Sequence, residues 1–383
     1  MKRFGLNLAA AAFALSTGLA FAETPIVIGV PTGLSGTNST VAPSVVQSTQ
    51  LAVKEINAKG GILGRKVVAE FSDDQSGATG AQRAFHDLIL EKKANVIISM
   101  ETSAARNAGM PIVEKNKVPY IYTSQYEGYA CSKYLFVDAD VPQQDVNPMV
   151  DYFMGEKKAK SFFLVGSDYA FGRGMLKFTR EYIEKKGGKV LADEYQPMDA
   201  TDWTSIISQI RRKNPDAIIM GTGGGSPNVT FLRQYATSGV SKPIGSLSLD
   251  SFTAQSLGEQ AAGAYIIGSY FTDINSDANR DFLKRIKGEF GEKLLTPSSY
   301  SVPQYDGVYL YKAAVEKAGT TDADAVAKAL SEVSFDGPRG KVSMDKEHHS
   351  TLTMYLAQIG NDGKISIVRE FKNVDPGKQC PAL

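Results

Sequence analysis

The sequence predicts an α/β protein made of two doubly wound parallel-sheet lobes joined by a multi-crossing hinge. Three observations predict it. Short apolar runs alternate with amphipathic helical patterns, the order expected of a parallel sheet covered on both faces. The alternation breaks between residues 126 and 141, a stretch rich in Gly, Asp and Pro, and then starts afresh. The last third carries three helical patterns followed by three strand-like runs, so the chain must return to both lobes.

The first strand is expected at 26–30. A Gly/Ser loop and a helix follow, the helix with Val45, Val46, Ala52, Val53 and Ile56 on one face and ending at Asn57-Ala58-Lys59-Gly60-Gly61. A strand at 66–71, a helix at 81–90, a strand at 95–99, a helix at 104–115 and a strand at 120–122 complete the first series. The second series opens with a helix at 145–154 and a strand at 161–165. Next comes a helix with Met175, Phe178 and Tyr182 on one face. It continues with a strand at 189–194, a helix at 205–212, a strand at 217–220, a helix at 228–237 and strands at 244–247 and 264–268. Helices at 278–290, 304–318 and 323–333 are expected to return to the first lobe, and the final runs at 341–344, 352–359 and 365–371 to close the chain. The expected division is 23–140 with 272–345 as lobe I, and 141–271 with 346–383 as lobe II and a tail. Several crossings make a hinge that bends without letting the lobes drift apart.

Residues 1–22 read as a secretory leader: Lys2 and Arg3, an apolar stretch through Leu19, and the small-x-small site Ala20-Phe21-Ala22. The apolar stretch is shorter than the roughly 20 residues of a spanning helix, which argues against an anchor. Cleavage after Ala22 and a periplasmic location are the expectation. With 43% apolar and 22% charged residues the chain is globular in composition. A formal charge of +1 without a basic run excludes nucleic acid as a natural partner. Two cysteines, Cys131 and Cys380, are expected to form one disulfide in an oxidising compartment, closing a loop of about 250 residues. His86, His348 and His349 show no metal-ligand spacing, and the last two are expected to face solvent in a charged turn.

The local text Ile28-Gly29-Val30-Pro31-Thr32-Gly33-Leu34-Ser35-Gly36, Glu55-Ile56-Asn57-Ala58-Lys59-Gly60-Gly61-Ile62-Leu63-Gly64-Arg65, Phe71-Ser72-Asp73-Asp74 and Tyr305-Asp306 resembles the type 1 periplasmic solute-binding proteins of ABC transporters. The resemblance covers essentially the whole mature chain and is nearest the branched-chain (Leu/Ile/Val) amino-acid binders. Tyr126-Glu127-Gly128 and Ser167-Asp168-Tyr169 lean toward the amide/urea branch. It implies a monomeric receptor without cofactor that captures a small ligand between its lobes and delivers it to an ABC permease. An aliphatic amino acid ranks first, an amide or urea second and an aromatic acid third, and a sensory module of the same fold is the alternative to transport.

Ligands of open parallel sheets sit beyond the carboxyl ends of the strands, so binding groups are sought in the loops there. The resemblance implies a ligand-contacting hydroxyl at Ser103, which opens a helix and is equally suited to capping it. It implies another hydroxyl at Ser124, an aromatic cover at Phe171 and an acidic partner for a ligand ammonium near Asp250. Tyr122 is expected to line the pocket or the core. Gly224 lies in Gly221-Thr222-Gly223-Gly224-Gly225-Ser226, a run that exposes backbone where leucine-type binders carry a large side chain. Glu101, if it faces the cleft, would repel an acid and favour a cation. The glycine run lacks the spacing of a dinucleotide loop, and neither a P-loop, a Gly-x-Ser-x-Gly elbow nor a His-Glu-x-x-His helix occurs, so an enzyme is not expected.

Overall fold

The computed structural model describes residues 24–382, and the expected leader and its cleavage point lie outside them. The first sheet is parallel throughout, in the order β2-β1-β3-β4-β5. Its strands are β1 (Ile26–Thr32), β2 (Val67–Asp73), β3 (Val96–Ser99), β4 (Tyr120–Tyr122) and β5 (Leu135–Val137). Between them run α1 (Ala42–Ala58), α2 (Ala78–His86), which continues as a π-helical turn Asp87–Glu91, and α3 (Ser103–Asn116). Val96, Ile97 and Ile98 of β3 are all fully buried, as expected of a central strand covered on both faces.

The chain then crosses to α4 (Pro142–Gly155), β6 (Ser161–Ser167), α5 (Ala170–Lys185), β7 (Lys189–Gln196) and α6 (Thr204–Lys213). β8 (Ala217–Gly221), α7 (Ser226–Thr237), β9 (Ile244–Ser246), α8 (Ser251–Leu257) and β10 (Tyr265–Gly268) follow. α9 (Asp277–Phe290), α10 (Val302–Ala318) and α11 (Ala323–Leu330) come next, and α10 packs on α1 and β3 of the first sheet. The hairpin β11 (Ser334–Gly337) and β12 (Gly340–Ser343) precedes β13 (Leu352–Ile359) and β14 (Ile365–Val374). The last two strands join the second sheet antiparallel, giving the order β14-β13-β10-β9-β8-β6-β7. Trp203, the only tryptophan of the chain, sits between α6 and α7. Its indole N–H donates to Thr230 Oγ1 at 2.9 Å and its ring meets Phe231 edge-on at 5.4 Å.

Three expectations are corrected. The 126–141 break contains a fifth parallel strand, β5, whose three residues are buried beside β4. The run at 341–344 pairs with β11 in a separate hairpin and joins neither main sheet. His349 does not face solvent, and His348 is half-buried. His348 stacks on Phe136 at 4.1 Å, and His349, 1% exposed, hydrogen-bonds the Tyr126 hydroxyl through Nε2 at 2.6 Å. Both rings fill the third crossing, where burial lowers their pKa values and favours the neutral imidazole.

The crossings are tied by Arg339, which is 3% exposed. Its guanidinium pairs with Asp138 at the first crossing, with Asp306 of α10 at 2.5 Å, and donates to Ser269 Oγ of the second crossing at 3.2 Å. Burial lifts both carboxyls, Asp138 to about 8 and Asp306 to about 6, while Arg339 holds them back from rising further. A fourth tie is covalent. Beyond β14 the tail reaches Cys380, bonded to Cys131 in the loop after β4, with Cα atoms 5.6 Å apart. The backbone amides of Gln379 and Cys380 both donate to Glu347 Oε2 at 2.6 Å.

Candidate functional site

The carboxyl ends of the two sheets face each other, and the lobes meet there. Tyr300, between α9 and α10, donates its hydroxyl to Ser248 O at 2.9 Å, and Gln125 of lobe I donates to Leu247 O of lobe II. Thr37 O receives Ser226 N–H at 3.4 Å. Gly225 makes this approach possible: its φ of +81° suits glycine, and a Cβ there would lie 2.3 Å from Thr37 O. Gly225→Ala is therefore expected to weaken ligand affinity about tenfold or more by blocking closure. The backbone strain costs the free protein about 1–2 kcal/mol. Calorimetry showing unchanged affinity would mean the two loops do not meet in the liganded form.

Between the lobes lies a pocket drawn down to a cavity of about 20 Å³, room for about one water. Its apolar walls are Val41, Met100, Tyr122, Tyr169, Phe171 and Tyr300, and its polar groups come from Asn38, Thr102, Ser103, Ser124 and Gln125. Six of the seven residues anticipated from sequence are brought together here: Glu101, Ser103, Tyr122, Ser124, Phe171 and Gly224. Asp250 is not among the lining residues. Its carboxylate caps α8, accepting from the amides of Phe252 and Thr253 at 2.9 and 3.1 Å and from Thr253 Oγ1 at 2.5 Å. These three bonds hold the carboxyl at the start of α8.

Local structure places each group. α3 begins after β3, and its cap is Thr102, whose Oγ1 accepts from Ala105 N at 3.1 Å. Ser103 is thus released from capping, and its hydroxyl donates to Glu127 Oε2 at 2.5 Å. Glu127 Oε1 accepts from Arg106 Nη2 at 2.8 Å. Glu101 lines the floor without carrying charge into it. Burial raises its pKa well above the usual range, with a further push from Asp74. Asp74 is itself raised to about 6 by burial. The Tyr120 hydroxyl donates to Glu101 Oε1. Glu101 Oε2 and Asp74 Oδ2 have no donor among the described residues, which adds to the cost of ionising either carboxyl. The phenol of Tyr122 is spent on Glu101 O at 2.8 Å, so this ring offers its face to a ligand.

Sequence reasoning missed Tyr300, Arg106 and Glu127. Tyr300 comes from a connection distant in sequence, with no local pattern to mark it. Glu127 was visible within Tyr126-Glu127-Gly128, but its pairing with Ser103 depends on how two loops pack.

A sequence profile described as Periplasmic binding protein matches residues 25–364. The chain belongs to this family. This periplasmic binding protein is 25% identical to Leu/Ile/Val-binding protein homolog 7 of Brucella abortus (strain 2308), over 93% of this chain and 94% of the relative. Its fold matches a solute-binding protein of Rhodopseudomonas palustris HaA2 in complex with p-hydroxybenzoic acid, with TM-score 0.85, 22% identity and coverage of 92% and 99% of the two chains. It also matches the branched-chain amino acid transporter substrate-binding protein LivJ of Streptococcus pneumoniae in complex with isoleucine, with TM-score 0.81, 25% identity and coverage of 91% and 99%. No described helix of this periplasmic binding protein is long and apolar enough to cross a membrane.

Proposed function

We propose that this protein is the periplasmic substrate-binding component of an ABC importer, taking a small aliphatic amino acid into its interlobe pocket and presenting it to the permease. The lobes are taken as 23–140 with 272–345 and 141–271 with 346–383, and a monomer suffices for the cycle. The observation that carries the reading is the pocket itself, which is small, walled by apolar rings and shared between lobes. Its polar groups are hydroxyls and amides gathered at the start of α3. The first amides of a helix lack intrahelical partners and favour an anion, so a ligand carboxylate suits this end. The named Leu/Ile/Val-binding relatives support an aliphatic side chain against the rings. Closure follows from the ligand's better contacts with the closed form.

A second reading, an aromatic acid, is favoured by the four rings of Tyr122, Tyr169, Phe171 and Tyr300 and by the p-hydroxybenzoic acid in a structural neighbour. A thermal-shift screen of leucine, isoleucine, valine, benzoate, 4-hydroxybenzoate, acetamide and urea separates them, because binding to the native state raises its melting temperature. The aliphatic amino acids are expected to raise it. A rise confined to the benzoates or to the amides would replace the ligand assignment, and no rise with any compound would overturn it.

A further inference from the structure

The acid that governs the pocket stands behind its wall. Glu127 is held between the two lobes: its carboxyl reaches Ser103 and Arg106 of α3, and its Cβ faces Gly174 of α5, where a Cβ would lie only 2.4 Å away. Arg106 is 1% exposed and packed over the rings of Tyr122 and Tyr126, at 5.0 and 4.5 Å from their centres. Both oxygens of the Glu127 carboxyl act as acceptors, Oε1 from Arg106 Nη2 at 2.8 Å and Oε2 from the Ser103 hydroxyl. The 2.5 Å bond between Ser103 and Glu127 therefore uses the one hydrogen that a serine hydroxyl owns. Ser103 lines the pocket, and what it has left for a ligand is a lone pair.

We propose that Glu127 is a specificity-determining residue that, through Ser103, turns this wall of the pocket into an acceptor, so that the ligand must bring an N–H or O–H group to Ser103. The proposal rests on the reading of the pocket as a ligand site and deepens it. An acceptor placed against Ser103 finds no hydrogen there and meets the negative end of the Glu127 relay. A donor completes a chain running from ligand to Ser103, Glu127 and Arg106, in which each bond polarises the next. The backbone of α5 at Gly174 packs against Glu127 and leaves its side chain 16% exposed, so the relay is largely shielded from water, which strengthens its field. For an amino acid the ammonium faces the Ser103 hydroxyl while the carboxylate keeps to the free backbone amides at the start of α3, and Glu127 takes the part that the sequence alone assigns to Asp250.

Two matched pairs test this by calorimetry on the mature protein: leucine against 4-methylpentanoate, and 4-hydroxybenzoate against benzoate. In whichever pair binds, the member with the extra donor is expected to bind about tenfold tighter or more. In Glu127→Gln the side-chain amide can donate to Ser103 and release its hydrogen into the pocket, so the preference is expected to fall to about threefold or less. Ser103→Ala removes the relay while leaving the Arg106–Glu127 pair intact, and is expected to lose the same preference with the fold unharmed. It decides the matter if Glu127→Gln does not fold. Equal binding of both members by the native protein, or a tenfold preference that survives Ser103→Ala, overturns the proposal. If only the benzoate pair binds, the amino-acid assignment falls and that pair decides the role of Glu127; if neither pair binds, both fall.

Discussion

Replacing Arg339 with methionine is expected to cost the fold about 3–5 kcal/mol, the usual loss when one partner of a buried ion pair is removed. The side chain is buried among groups that cannot hydrate: Asp138 Oδ2 and Asp306 Oδ1 already lack a partner among the described residues. The loss should depend on pH in a definite direction. Both aspartates are raised in the folded protein, to about 8 and about 6, above the roughly 3.9 of an unfolded chain. The stability from holding their protons is complete below about pH 4 and drains away as pH rises through 6 and then 8. Without the guanidinium both pKa values climb further, so the variant should lag the native protein more at pH 8 than at pH 5. Urea midpoints at the two pH values check it; a deficit independent of pH would mean the aspartates are not the groups Arg339 restrains.

The second large effect concerns the covalent tie. Changing Cys131 and Cys380 together to serine is expected to lower stability by about 2–4 kcal/mol, chiefly by freeing an unfolded chain that the bond had closed into a loop. The folded tail keeps its other anchors, Glu347 and the Gln379–Gln143 bond of 3.0 Å, so the native arrangement survives the change. Urea unfolding of the native protein with reductant should match the double variant without it. A reduced native protein as stable as the oxidised one would remove the bond from the stability account.

The periodic parts of the fold were legible from residues alone. β4 at 120–122 and β13 at 352–359 lie where alternation and apolar runs place them, and α3 and α9 begin within a residue of the expectation. β5 and α8 escaped: β5 lies inside the stretch where the alternation breaks and is held by pairing with β4, and α8 is a seven-residue helix opened by the Asp250 cap rather than by an apolar period. The candidate site divides the same way. Ser103, Ser124 and Phe171 follow from their place at strand ends, which topology dictates. Asp250 looked like a free acid because its sequence neighbours do not reveal that Phe252 and Thr253 turn back onto it. Glu101 looked charged because the burial that neutralises it, together with Asp74, arises only when the ends of β2 and β3 pack together.

The solitary indole of Trp203 has an optical consequence. Its ring is held between α6 and α7 and lies outside the pocket lining. The pocket instead holds three phenols, Tyr122, Tyr169 and Tyr300, the last bonded directly across the lobes. Tryptophan emission thus follows the melting of one lobe, while near-ultraviolet tyrosine bands follow capture of a ligand, so the two events can be watched in a single sample without any label.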